Sequence, residues 1–408
     1  MAAKFNLPPK NPANLRPFEF HIPESEAVGF KTLLKLSKIG PATWWNQQNN
    51  SQFGVSREWL IKAKETWLTS FDWRNHEDYI NKFPNFKIAV QDLDIGEMDI
   101  HFAALFSAKH DAIPIIFMHG FPSSFADFLP MMDLLADKYT PETLPYHIIV
   151  PSLPDYGLSG TRAQNTEMTL ERSARIMNQL MIDLGFGSGY IAQGGDLGSL
   201  LARIMSAEYE QCKAFHLNML VLDPGQAVPS SDSLTSEERH HLKRTEEWRL
   251  TGMAYALEHG TRPSTAGLAI SSSPLALLAW IGEKLMEWTD PRKPFSLDQI
   301  LATVTLYWFT GTFSTSLYHA TAAMRYLGNT AFPISKEKPL GYSWFPYDLV
   351  VFPRSWAQEI YPKMVCYKSH SNGGHFPCLE EVEEFVEDIE AFVEKVSDSF
   401  NAVQDQMS

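Results

Sequence analysis

Gly189-Tyr190-Ile191-Ala192-Gln193-Gly194-Gly195-Asp196-Leu197-Gly198-Ser199 is an apolar run that stops abruptly in small residues around one polar side chain. A helical pattern, Leu200 to Glu208, starts at once. This layout predicts a strand, a tight turn and a helix. The turn leaves space only for small residues around Asp196 and lifts that side chain clear of the sheet. In most turns of this kind the central residue is Ser. A carboxylate does not behave as an activated alcohol, but it can attack an electrophilic carbon and form an ester. The stretch therefore points away from esters and amides and towards alkyl electrophiles such as epoxides or alkyl halides.

Outward from this turn the pattern alternates between strand and helix. Met98 to Phe106 alternates like a strand, and Ile113 to Met118 is almost wholly apolar, as a strand buried on both faces should be. Tyr146 to Val150 is a further strand. Helices are predicted at Phe125 to Leu135 and Leu170 to Leu184. After a break the alternation resumes with Tyr342 to Phe345, Met364 to Tyr367 and a last amphipathic helix, Leu379 to Val396. The expected class is α/β, a mostly parallel sheet flanked by helices. Residues 1–90 read as an N-terminal extension with helical patches at Glu24 to Lys38 and Arg57 to Phe71. Its tryptophans (Trp44, Trp45, Trp59, Trp67, Trp73) are expected to clamp it to a larger body. Residues 91–224 and 336–408 form the core, and 225–335 an inserted helical lid.

The bulk numbers agree. A chain of 408 residues with 44% hydrophobic and 20% charged residues has a sizeable core. A net charge of -14 argues against nucleic acid or an anionic membrane surface as partner. Three scattered cysteines, Cys212, Cys366 and Cys378, suit neither a disulfide framework nor a zinc site. The N-terminus has no apolar signal core, and no run of about 18 apolar residues occurs. The expectation is a cytoplasmic protein without a membrane span. No cluster of ligands suggests a metal or a cofactor.

Three features fit Asp196. His119-Gly120-Phe121-Pro122 follows a buried strand, where backbone N–H groups at Phe121 and Leu197 could hold an oxyanion. His375 lies on a Gly-Gly loop, exposed enough to serve as a base. Asp348, in Phe345-Pro346-Tyr347-Asp348, follows the penultimate strand and could orient the imidazole. The order nucleophile, acid, histidine is that of the α/β-hydrolase fold.

At this point the chain resembles the fungal and microsomal epoxide hydrolases over almost its whole length. The matching motifs include Phe71-Asp72-Trp73-Arg74, His119-Gly120-Phe121-Pro122, Val150-Pro151-Ser152-Leu153-Pro154, Gln193-Gly194-Gly195-Asp196, Tyr307-Trp308-Phe309-Thr310 and Gly373-Gly374-His375-Phe376. The resemblance implies that Asp196 opens an epoxide to an alkyl-enzyme ester and that His375, assisted by Asp348, activates water to cleave it. It also implies two lid tyrosines that serve the leaving oxygen, no cofactor, and a homodimer. Tyr255, in Met253-Ala254-Tyr255-Ala256, matches the first tyrosine. The second should fall at about position 320, which is Ala; the nearest phenol is Tyr318, about 200° round a helix. Either Tyr318 substitutes, or Tyr255 acts alone, or the ring-opening machinery is altered. Other departures are Phe121 where Trp is common, Asp155 where Gly is common, and Pro377-Cys378 where two alanines are common. Phe121, Pro122 and Trp280 are candidate substrate contacts.

The expected activity is hydrolysis of an apolar epoxide, with water, to a vicinal diol in a detoxifying or biosynthetic setting. The alternatives are a non-hydrolytic isomerase, cyclase or lyase on the same scaffold, a haloalkane dehalogenase, and a non-catalytic binding protein.

Overall fold

The computed structural model describes residues 2–10, 12, 14–48, 53–160, 165–222, 229–230, 232, 234–326 and 332–404. One nine-stranded sheet organises them. Its strands are β1 (Leu15–Pro17), β2 (Asn85–Asp92), β3 (Gly96–Leu105), β4 (Ile113–Met118), β5 (Tyr146–Pro151), β6 (Tyr190–Gly194), β7 (Cys212–Leu217), β8 (Leu340–Trp344) and β9 (Met364–Ser369). Their spatial order is β1-β2-β3-β5-β4-β6-β7-β8-β9. From β5 to β9 all neighbours are parallel; β1, β2 and β3 add an antiparallel edge. Every residue of β4, β5 and β6 is buried, as helices on both faces require.

The chain runs from β4 to β5 on one side and returns to β6 on the other. The carboxyl ends of β4 and β6 thus flank a crevice at the point where strand order reverses. Met118 and Gly194 are paired in register, so both strands end at the same level.

Several boundaries differ from the sequence-based expectation. The division at 90/91 falls inside β2, because the extension contributes β1 and most of β2 to the sheet rather than standing apart. The lid boundary at 225 lies outside the described residues. The helix expected at Phe125 to Leu135 is a 3-10 turn, Phe125–Phe128, followed by a helix, Leu129–Lys138. Pro130 sits in its first turn, where a missing N–H costs nothing. The helix from Leu170 is regular only to Met181; a wider turn, Ile182–Phe186, follows, with Gly185 at φ 97°.

The lid comprises short helices, among them Ala254–Thr261, Pro263–Ser271, Pro274–Glu287, Leu297–Thr310 and Tyr318–Tyr326. The extension is fixed to it. The Trp67 indole N–H donates to Thr305 Oγ1 at 2.9 Å, Trp73 packs on Phe309, and the Trp59 ring covers Gly282. Trp44 and Trp45 are 62% and 61% exposed, and among the described residues their rings pack on each other and on Phe53 rather than on the larger body. Among the described residues no single helix is long and apolar enough to cross a membrane.

Candidate active site

The turn after β6 has the conformation its small residues suggested. Asp196 adopts φ 46°, in the left-handed region, at a cost of roughly 1–3 kcal/mol that the surrounding structure must hold. Close approach explains the neighbouring glycines. A Cβ on Gly198 would strike the Met118 carbonyl, and one on Gly120 would strike the Asp196 side chain. The first turn of the helix Asp196–Glu208 therefore meets the end of β4 backbone to backbone. Asp155 also has a left-handed φ, 63°, which explains why glycine suits that position.

Asp196 Oδ1 accepts the Phe121 backbone N–H at 2.8 Å. Its Oδ2 lies 3.4 Å from His375 Nε2. On the far side of the ring, His375 Nδ1–H donates to Asp348 Oδ1 at 2.6 Å. Asp348 also accepts the Leu349 N–H at 2.7 Å. The His375 and Asp348 side chains are each 2% exposed, whereas that of Asp196 is 24% exposed to the crevice. The three residues come from separate loops at the carboxyl ends of β6, β8 and β9. The Leu197 amide begins the helix Asp196–Glu208, beside the Asp196 carboxylate.

The electrostatics follow from this packing. Burial pulls the His375 imidazole down, but the Asp348 and Asp196 carboxylates outweigh it and push the ring up to about 10. Burial alone would raise Asp196; the hydrogen bond and charge of His375, the charge of His319 and the Phe121 amide hold it below the usual carboxylate range. The resting pair is thus a carboxylate beside an imidazolium.

The His375 loop is pinned by groups that the sequence reading missed. The Gly374 and Phe376 N–H groups donate to the two oxygens of Glu380, both at 2.9 Å, and Gly373 N–H donates to Asp290. His375 N–H donates to the Trp288 carbonyl at 2.9 Å. The signal for Glu380 was present: a Gly-Gly loop with an acid a few residues downstream. A cavity of about 30 Å³ lies behind the loop, lined by Gly120, Asp127, Asp196, Asn218 and His375 among others, with room for a water molecule. Burial, eased by Ser123 and Ser124, pushes the Asp127 carboxyl there up to about 7.

Near Asp196, the Tyr255 ring lies on the Phe121 ring, centroids 6.0 Å apart and nearly parallel. Burial and the Asp196 charge raise its phenol well above the ordinary value, so it stays a donor. Its hydroxyl has no partner among the described residues. Trp280 is set further back, donating its indole N–H to His259 Nε2 at 3.0 Å. Pro122 is buried in the turn after β4. Tyr318 is not brought to Asp196: its hydroxyl donates to Ser173 Oγ at 3.2 Å, the rotation that helical register imposes two residues from position 320. Ala320 is buried. Among the described residues no cluster of His, Cys, Asp or Glu has the form of a metal site.

Comparison with known proteins shows the family. Residues 15–128 match the family model described as epoxide hydrolase N terminus, and residues 113–319 the alpha/beta hydrolase fold. A protein of Dothistroma septosporum whose name places it among the epoxide hydrolases is 46% identical over 381 residues, covering 91% of this chain and 89% of that one. The chain belongs to the epoxide hydrolase family. The solved Aspergillus niger epoxide hydrolase is 42% identical, with a TM-score of 0.87 over 97% of this chain and 98% of the other. Epoxide hydrolase 1 of Sus scrofa is 29% identical, covering 92% of this epoxide hydrolase-family chain and 87% of its own length.

Proposed function

We propose that this chain hydrolyses an apolar epoxide to a vicinal diol in two steps. Asp196 attacks a ring carbon from its raised position on the turn, forming an ester, while Tyr255 donates to the oxygen released. Esterification removes the Asp196 charge, one of the two that hold the proton on His375. The imidazolium then loses its Nε2 proton to solvent and becomes a base, and Asp348 keeps Nδ1 protonated so that Nε2 accepts. Water in the cavity beside His375 adds to the ester carbonyl, gives its proton to Nε2 and releases the diol. The Phe121 and Leu197 amides serve the oxyanion of that second step.

The observation that carries this reading is Asp196 at φ 46°, bound to the Phe121 amide on one oxygen and facing His375 on the other. The apolar preference rests on the aromatic surroundings of Phe121, which include Tyr255, Tyr307 and Phe313. A single turnover in ¹⁸O-water, followed by mass analysis of the peptide that contains Asp196, is the test. Label is expected in that carboxylate and not in Asp196→Ala; diol formed by Asp196→Ala at the wild-type rate would sink the mechanism. A homodimer and a cytoplasmic location belong to the same reading, and size-exclusion chromatography tests the first.

A further inference from the structure

Opening an epoxide in a closed site leaves an alkoxide, which needs strong donors or a proton. Tyr255 supplies one. The phenol nearest the second position, Tyr318, is engaged by Ser173, and residue 320 is Ala. Between them stands His319. Its ring lies on the Phe121 ring at 5.5 Å, on the same aromatic residue as Tyr255 and next to the amide that holds Asp196.

We propose that His319 is the second donor to the oxygen released by Asp196, with Tyr156 and the Ser316 carbonyl as the groups that position it. This inference rests on the Asp196 mechanism proposed above. His319 Nδ1 is 2.6 Å from the Ser316 carbonyl oxygen and 2.7 Å from the Tyr156 hydroxyl. A carbonyl can only accept, so Nδ1 carries a proton. Nε2 has no protein partner among the described residues. A neutral ring therefore carries a bare Nε2, and only the imidazolium carries an N–H there.

The titratable groups around the ring are Asp196 below it, Tyr156 and Tyr318 beside it, and His259 across Phe121. Burial lowers His319, opposed by the Asp196 charge and the Ser316 carbonyl. His259 does not compete as an acid: burial, with the charges of His319 and Lys284, pushes it down to about 3.

The step balances. The Asp196 oxygen bonds to the ring carbon, the carbon–oxygen ring bond breaks with its electron pair on oxygen, and that oxygen takes the Nε2 proton. His319 is left neutral. The proton that His375 sheds when Asp196 is esterified restores it through solvent.

His375→Gln isolates this first step, because the ester forms but is not hydrolysed. Mixed with styrene oxide, that variant should show the mass of an adduct on Asp196; no adduct would defeat the Asp196 mechanism itself. Given an adduct, its rate of formation is expected to rise as pH falls from about 8 to about 5. Adding His319→Phe keeps a ring on Phe121 but removes the proton. The rate should then fall on the order of 10²-fold and lose that pH dependence. An unchanged rate, or a slower rate with the same pH profile, overturns the proposal. Should His319→Phe fail to fold, His319→Gln gives the same reading: its amide donates without charge, so the rate should be partly kept and the profile flat. Tyr156→Phe is expected to shift the profile along the pH axis, as a positioning residue should.

Discussion

The floor and the roof of the crevice are built on different principles. On the floor, Asp196, Asp348 and His375 are held by backbone: the left-handed turn, the Gly198 approach to Met118, and the Glu380 clasp on the histidine loop. In the roof, Tyr255 and His319 are held by rings stacked on Phe121 and by helix register. Backbone contacts tolerate almost no substitution, so the floor leaves its mark in the sequence as Gly-Gly-Asp-x-Gly and Gly-Gly-His. Stacked rings tolerate replacement, and one position along a helix turns a side chain by about 100°.

The sharpest way to break this contrast is at the floor. Asp348→Asn removes the charge that orients His375, and turnover is expected to fall by about 10⁴-fold in steady-state diol formation. The same substitution has a pH signature. His375 is raised to about 10 in the fold from an ordinary 6.5, so its contribution to stability is complete below 6.5 and is lost as pH rises through about 10. Denaturant unfolding of the wild type should weaken across that window, and Asp348→Asn should flatten the decline. An identical pH–stability curve would show that Asp348 does not hold the imidazolium.

At the roof the expected loss is smaller. Tyr255→Phe keeps the ring on Phe121 and removes only the donor, at roughly 10²-fold in kcat. Stopped-flow measurement should put the whole loss in ester formation, with ester hydrolysis unchanged. A loss divided between the two steps would make Tyr255 part of the floor.

The smallest effects separate two sets of tryptophans in the extension. Trp67→Ala removes a fully buried ring and its bond to Thr305, an expected cost of 3–5 kcal/mol in denaturant unfolding. Trp45→Ser, at an exposed ring, should change stability by less than about 0.5 kcal/mol.

These contrasts mark how far the sequence could be read. β4, β5 and β6 were legible because strands buried on both faces are continuous apolar runs. β7 escaped because Cys-Lys-Ala-Phe-His-Leu carries two polar residues in six. β2 escaped because it lies in a segment whose tryptophans drew attention to helices. At the site, Asp196, His375 and Asp348 stand on turns with strict backbone demands, and the structure brings them together. His319 has no such local signal, since it sits one residue from Tyr318 on a helix whose register the sequence alone does not set. Trp44 and Trp45 had the same composition as Trp67 and Trp73, and nothing local distinguishes a tryptophan that inserts from one that remains outside.

Trp59, Trp67 and Trp73 tie the extension to the lid, while β1 and β2 tie it to the sheet. A lid fastened in this way cannot swing as a free flap. Raising it would first peel three indoles from their seats, so the first ninety residues act as a hinge-lock. Amide hydrogens in the extension and in the helix Leu297–Thr310 should then exchange together, as one cooperative unit.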